Sequence, residues 1–242
     1  MLKGFKDSLL SIVYPQDCLS CSGSVDSSDD GIACSVCWDN TRIFNGSEML
    51  CHKCGAFFGD TAAPVPVSCH QCGDHHYDKA AAIGIYEKAL SASIISLKTT
   101  PVVPQRIKNV IPAAIKHANF TASDVIVPIP LSRQRKLERG FNQAEIVAAV
   151  VSKALDIPVD AGSLGRKLHT PIHRMAMDKR ARELTVQNAF DVLRPKLIKG
   201  KNILLVDDVF TSGATASYCA RILKKNGAGS VNVFTLARAV MH

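Results

Sequence analysis

The 242 residues of this chain predict an α/β fold: a mostly parallel sheet with helices on both faces, preceded by a small cysteine-rich metal module. Three observations carry that expectation. Short apolar runs that read as buried strands alternate with helix-length amphipathic segments. One such run ends in two aspartates and a loop of hydroxyl residues and glycine. Eight of the nine cysteines crowd between Cys18 and Cys72.

The chain opens on an amphipathic stripe. Leu2, Phe5, Leu9, Ile12 and Val13 fall on one face of a helix, and docking against the protein's own core accounts for them better than a membrane surface does. The apolar run from Leu9 to Tyr14 is too short to span a bilayer, and no small-residue cleavage site follows it. The expectation is a cytoplasmic protein with no transmembrane segment.

The cysteines then form four Cys-x-x-Cys pairs: Cys18/Cys21, Cys34/Cys37, Cys51/Cys54 and Cys69/Cys72, with 12, 13 and 14 residues between pairs. Four such pairs supply two tetrahedral four-cysteine sites for structural Zn2+. Disulfides and an iron–sulfur cluster are the competing readings. Identical pair spacing and the lack of an export signal argue against disulfides, and four copies of the pair argue against redox catalysis. Sequential grouping, with the first four cysteines on one ion and the last four on the other, closes the shorter loops; interleaved grouping satisfies the same spacing. His52, His70, His75 and His76 are read as solvated. Segments 25–45 and 57–68 show little secondary-structure pattern, so metal binding is expected to supply the module's folding energy.

Charge divides the chain in the same place. Residues 1–78 carry four Lys/Arg against ten Asp/Glu, a balance of −6, and residues 79–242 carry +14. Two domains are expected, 1–79 and 80–242. An acidic module with only Arg42 and Lys53 between Cys18 and Asp78 is a poor phosphate binder, so docking to protein is the better role for it than nucleic-acid contact.

In the basic part, the apolar pattern of Ile85, Ala89, Ile94, Ile95 and Leu97 reads Tyr86 to Thr99 as a helix, and Gln105 to Ala118 reads as a second, with Pro104 at its start. Asp124 to Pro130 reads as a short buried strand. Arg133, Arg135, Lys136 and Arg139 follow it within seven residues and suggest a polyanion site. Gln143 to Leu155 is a helix apolar on most faces. The polar stretch from Arg166 to Asn188 is long for a connection and rich in cations, as expected of a functional loop. Ile203 to Val206 reads as a buried strand with Asp207 and Asp208 at its end. The loop Thr211, Ser212, Gly213, Ala214, Thr215 then opens a helix-like run from Ala216 to Asn226. Ser230 to Leu236 is the last strand. Backbone amides at such a loop and helix start favour a phosphate dianion. Paired carboxylates suit ribose hydroxyls or a hard cation such as Mg2+. Cys219 is read as a core residue.

The segment from Ile203 to Thr215 resembles the signature of type I phosphoribosyltransferases, which bind 5-phosphoribosyl-1-pyrophosphate (PRPP). Together with Asp124 to Leu131 and the run Arg139, Gly140, Phe141, Asn142, Gln143, it resembles the ComF family (ComFC/GntX-like), which joins an amino-terminal zinc module to such a domain. The family's central Thr-x-x-Gln stands here as Thr170 to His173. The resemblance implies a PRPP site formed by Asp207, Asp208, Thr211, Ser212, Gly213, Ala214 and Thr215, with Asp207 and Asp208 as catalytic residues and Mg2+ accompanying PRPP. Pyrophosphate would rest near Ile129, Pro130, Leu131 and Arg133, with Lys98, Arg139 and Arg174 as further contacts. It also implies roles in natural competence and DNA uptake, with single-stranded DNA and competence proteins such as a ComF-type helicase as partners.

Metal analysis of the purified chain is expected to find two equivalents of zinc. A metal-free, folded protein would remove the structural reading of the cysteines.

Overall fold

The computed structural model describes residues 16–61, 63–166 and 189–240. The amino-terminal stripe, Arg174 and nearly all of the 166–188 stretch lie outside the described residues. After a 3-10 turn at Ser28–Asp30, the elements are α1 (Ser35–Asp39), β1 (Met49–Leu50), β2 (Phe57–Gly59), β3 (Ala80–Ile85), α2 (Lys88–Ser96), α3 (Gln105–Ala118) and β4 (Val125–Pro128). Next come α4 (Arg133–Arg139), α5 (Gln143–Leu155), β5 (Leu164–Arg166), β6 (Phe190–Val192), α6 (Pro195–Ile198), β7 (Asn202–Phe210), α7 (Ala214–Lys225) and β8 (Ser230–Arg238). No helix among them is long and apolar enough to cross a membrane.

The central sheet has the order β3-β8-β7-β4, and all three pairings are parallel. Its two middle strands have both faces covered, which explains their near-continuous apolar runs: Ile203, Leu204, Leu205 and Val206 are wholly buried. On one face Leu204, Val206, Phe234 and Leu236 pack with α2, α3 and α5. On the other, Ile203, Leu205, Val231 and Val233 pack with α7. Burial of each large aliphatic side chain contributes about 1.5–3 kcal/mol.

Both edges of the sheet are closed. Beside β4, Val159 bridges Ile126 in parallel. Beside β3, the link between the two cysteine clusters adds an antiparallel rung: Phe44 N donates to the Ile83 carbonyl at 2.8 Å, and Ile85 N to the Arg42 carbonyl at 3.0 Å. Capping an edge in this way removes the unpaired backbone groups that invite association.

The cysteine module is divided between the two faces. Cys18, Cys34, Cys37 and Trp38 join the core beneath α2 and α3. Cys51, Cys54 and Cys72 join the core beneath α7, with Tyr77. Trp38 is tied in by its indole N–H, which donates to the Asp30 carbonyl at 2.9 Å.

Two expectations are corrected, at Ile85 and at the end of β7. Ala80 to Ile85 is a strand, whereas the sequence placed Ile85 in a helical pattern. Its three alanines carry no β signal, and their strand state is imposed by pairing with β8. The cationic run after β4, to which the sequence assigned no element, is a helix: the Ser132 side chain caps α4 by accepting from Arg135 N, and Gly140, at φ 78°, ends it. Finally, β7 does not stop at the aspartates but continues to Phe210. The α2, α3 and α5 helices lie where periodicity put them, and α3 carries Pro112 on its exposed side.

A Cβ at Gly84 would stand 2.3 Å from the Arg42 carbonyl oxygen, on the edge rung. Gly84→Ala is therefore expected to lower stability by about 1–3 kcal/mol, read as an earlier urea midpoint for the metal-loaded protein. An unchanged midpoint would mean that the 42–44 segment does not hold this edge.

Candidate functional site

The site grows from the carboxyl end of β7. Because successive strand residues point to opposite faces, Asp207 and Asp208 diverge. Asp207 lies on the side of α7, near Cys219 and Arg166, and Asp208 lies near Tyr86. Each carboxylate accepts one bond from the next backbone amide: Asp208 N donates to Asp207 Oδ1 at 3.0 Å, and Val209 N to Asp208 Oδ1 at 2.8 Å. Neither aspartate is in an ion pair with a described Lys or Arg. Burial, and secondarily the adjacent Asp208 carboxylate, holds the Asp207 carboxyl well above the usual range. Burial also pushes the Cys219 thiol up, in keeping with its core position.

The loop follows at once. Thr211 and Ser212 are exposed, Gly213 is buried, and α7 begins at Ala214. Gly213 is required: its φ is 77°, and a Cβ there would meet Phe210 Cζ at 2.5 Å. The Ser212 hydroxyl accepts from Ala214 N at 3.4 Å, and Ser217 N donates to the Gly213 carbonyl at 2.8 Å. The amides of Thr211, Ser212, Gly213, Thr215 and Ala216 have no hydrogen-bond partner among the described residues. Five donors thus cluster at a helix start beside two carboxylates.

The turn after β4 lies at the same edge of the sheet. Ile129 N donates to the Val206 carbonyl, and the Asn142 side chain donates to the Ile129 carbonyl at 3.0 Å. Asn142 is buried and also caps α5 by accepting from Ala144 N. Arg139 donates to Gln143 Oε1 at 2.9 Å. The Arg139 to Gln143 run therefore fixes the turn from behind. Leu131, Arg133, Lys136, Leu137, Gly140 and Arg166 line an open cleft of about 500 Å³ beside it. Of the other predicted contacts, Lys98 follows α2 and makes no side-chain hydrogen bond or ion pair with described residues.

The cysteines form two clusters in sequential grouping: Cys18, Cys21, Cys34 and Cys37, and Cys51, Cys54, Cys69 and Cys72, with all sulfurs of a cluster within 4.8 Å of one another. The spacing suits zinc. Four ligands about 2.3 Å from an ion lie at mutual distances of about 3.8 Å, and the observed Sγ–Sγ distances include 3.7 Å for Cys18–Cys37, Cys21–Cys34 and Cys51–Cys72. Backbone N–H groups point at the sulfurs, Cys34 N to Cys18 and Cys69 N to Cys51, each at 3.3 Å. Burial raises the Cys51 thiol, but amide donors outweigh it and bring the group down to about 6, whereas burial pushes the neighbouring Cys54 thiol up to about 11.

Sequence reasoning missed three residues here. His75 is half-buried rather than solvated, and shares a 2.6 Å hydrogen bond with the buried Tyr77 hydroxyl. Arg238, the last residue of β8, is 4% exposed. Its guanidinium lies 4.3 Å from the Phe210 ring centroid and donates to Cys54 Sγ at 3.5 Å. No local motif marks any of them, because the partners are up to 184 positions apart.

Comparison with known proteins identifies both parts of the chain. The double zinc ribbon domain profile matches residues 9–74, and the phosphoribosyl transferase domain profile matches residues 113–240. The chain is 28% identical to the DNA utilization protein YhgH of Escherichia coli K12, over 86% of this chain and 90% of that one. It is 29% identical to competence protein F of Haemophilus influenzae, over 92% and 96%. Against competence protein ComFC of Bacillus subtilis, identity is 38% over 48% of this chain and 45% of the relative. The chain thus belongs to the phosphoribosyltransferase domain family, in the ComF-like form that carries an amino-terminal double zinc ribbon.

Proposed function

We propose that the chain binds PRPP with Mg2+ at the carboxyl end of β7 and transfers its phosphoribosyl group with release of pyrophosphate. The observation that carries this reading is the set of five unbonded amides beside two carboxylates that lack a cationic partner among the described residues. The first amides of any helix lack an intrahelical partner, and a cluster of them at a helix start beside two carboxylates suits an incoming dianion on the ribose they would hold.

On this reading the amides of Thr211, Ser212, Gly213, Thr215 and Ala216 hold the 5-phosphate, with the Thr211, Ser212 and Thr215 hydroxyls as further donors and Ala214 as a small neighbour. Asp207 and Asp208 accept the ribose hydroxyls. Two adjacent carboxylates are a hard-oxygen donor set that fits Mg2+; when bound, the ion supplies neutralisation of pyrophosphate charge. Ile129, Pro130 and Leu131 form the turn against which pyrophosphate rests. Arg133 and Arg166 stand opposite the negative charge that builds on the leaving group, while Lys136, in the same cleft, is paired with Glu145 at 3.0 Å. Arg139, engaged with Gln143, supports that turn rather than reaching the ligand.

The relatives' names connect the same scaffold with DNA utilisation and competence. We infer a role in handling single-stranded DNA or in association with competence proteins. The +14 balance of residues 79–242 and the cationic cleft beside α4 favour a strand tracked by its phosphates. The thiolate clusters fit a reducing compartment, and we place the protein in the cytoplasm.

Isothermal titration with PRPP and Mg2+ should give one site per chain. The double substitution Asp207→Asn/Asp208→Asn should weaken binding by about tenfold or more, since each charged hydrogen bond contributes about 1.5–3 kcal/mol. Undiminished binding by that variant would remove the site assignment. Repeating the titration with an oligonucleotide present separates a shared groove, seen as competition, from a separate nucleic-acid face.

The raised Asp207 carboxyl sets a second expectation. Between the unfolded and the folded titration points the folded state binds more protons, so this group's contribution to stability falls as pH rises through that interval. Asp207→Asn should therefore unfold at higher urea than wild type at pH 7, with the gap narrowing towards pH 4. A gap that is constant with pH would mean that Asp207 titrates normally.

A further inference from the structure

We propose that the second cysteine cluster supports the phosphate loop, acting through His75, Tyr77 and Arg238 as positioning residues. The phosphate role of that loop rests on the reading given above; its mechanical support does not.

Within five residues of Cys72 the chain makes three contacts behind the loop. The His75 ring lies 5.2 Å from that of Tyr77, and a Cβ on Gly213 would stand only 3.0 Å from His75 Cε1. Tyr77, 1% exposed, meets the Phe210 ring edge-on with centroids 5.7 Å apart. His76 N donates to the Ser217 hydroxyl at 3.0 Å, reaching the first turn of α7. From the other side Arg238 covers the Phe210 ring while donating to Cys54, itself a cluster cysteine.

Phe210 is the residue on which these contacts converge. It ends β7, immediately precedes Thr211, and its ring lies against Gly213. The loop itself, Thr211 to Thr215, is made of small residues with no bulky anchor of their own. Donors aimed at a ligand are effective only when held in place beforehand. Here that holding comes from a metal-dependent knuckle rather than from the loop.

Among the described residues no hydrogen bond or ring contact joins the first cluster to the loop. Trp38, beside that cluster, lies 5.9 Å from the Arg106 guanidinium of α3. The two clusters are therefore predicted to differ in their effect on the loop.

The test uses the zinc-loaded full chain and hydrogen–deuterium exchange of the 210–219 segment. Tyr77→Phe keeps the ring and removes the hydroxyl; His75→Ala removes the imidazole; Trp38→Phe is the control at the first cluster. The first two should retain two zinc ions and the wild-type melting temperature, yet exchange about tenfold faster across 210–219, as local opening without global loosening does. Trp38→Phe should leave that segment unchanged. Affinity for PRPP should fall with the exchange protection. Should His75→Ala lose zinc or unfold, the milder Tyr77→Phe decides. Unchanged loop exchange in Tyr77→Phe, or equal acceleration in Trp38→Phe, overturns the proposal. Failure of wild-type protein to bind PRPP would overturn the phosphate reading instead, and the exchange comparison would still decide the support.

Discussion

Strand β7 is hydrogen-bonded on both sides, to β4 and to β8, and the site depends on that double pairing. Ladder bonds continue past the aspartates, since Val209 and Phe210 still pair with Ala237 and Arg238. The backbone carrying Asp207 and Asp208 is therefore fixed before any ligand arrives. Two neighbouring carboxylates repel, and desolvating either is unfavourable. A flexible segment would relieve this by turning them to water. A strand still paired to β8 beyond this point cannot, and so sends one to each face: Asp207 towards Cys219 and Arg166, Asp208 towards Tyr86. The poor fit of these groups to a protein interior is what makes them suited to an external partner.

The cysteine module has little structure that would hold it together by itself. Its strands β1 and β2 are two and three residues long, and α1 has five. Such a segment buries too little apolar surface to fold unaided. Two sources make up the difference. Metal binding closes each cluster, and each cluster then lies on a ready-made hydrophobic face of the sheet, the first with α2 and α3, the second with α7. The link between them crosses the β3 edge, where Gly84 admits its backbone. One module thus covers an edge and part of two faces.

Much of this was legible in the sequence because it is local. The zinc pairs are written in their spacing, α3 and α5 in their periodicity, and the loop from Thr211 to Thr215 in its hydroxyls and Gly213. What escaped is long-range. Ala80 to Ile85 has helix-favouring alanines and becomes a strand only beside β8. The run from Arg133 to Arg139 shows its charge before its helix, although Ser132 and Gly140 bracket it as caps. His75 looked like a solvated histidine because its partner hydroxyl, on Tyr77, gives no motif. Arg238 looked like a strand-ending cation, and its thiolate partner lies 184 positions earlier.

Arg238 also explains why an acidic ribbon belongs on this basic domain. A guanidinium that is 4% exposed needs a counter-charge, since burying an unpaired ion costs several kcal/mol. Its Nη1 has no hydrogen-bond partner, and the Phe210 ring offers only a quadrupole. What remains is Cys54 and the cluster around it: four thiolates and one divalent ion leave a net charge of about −2. Neutral ligands such as histidines would give the site a positive charge and repel the guanidinium. The choice of four cysteines in the second cluster is therefore tied electrostatically to the end of β8. The overall balances of −6 and +14 are less informative than this single contact, because surface charges are screened over about 10 Å at ordinary salt while a buried pair is not.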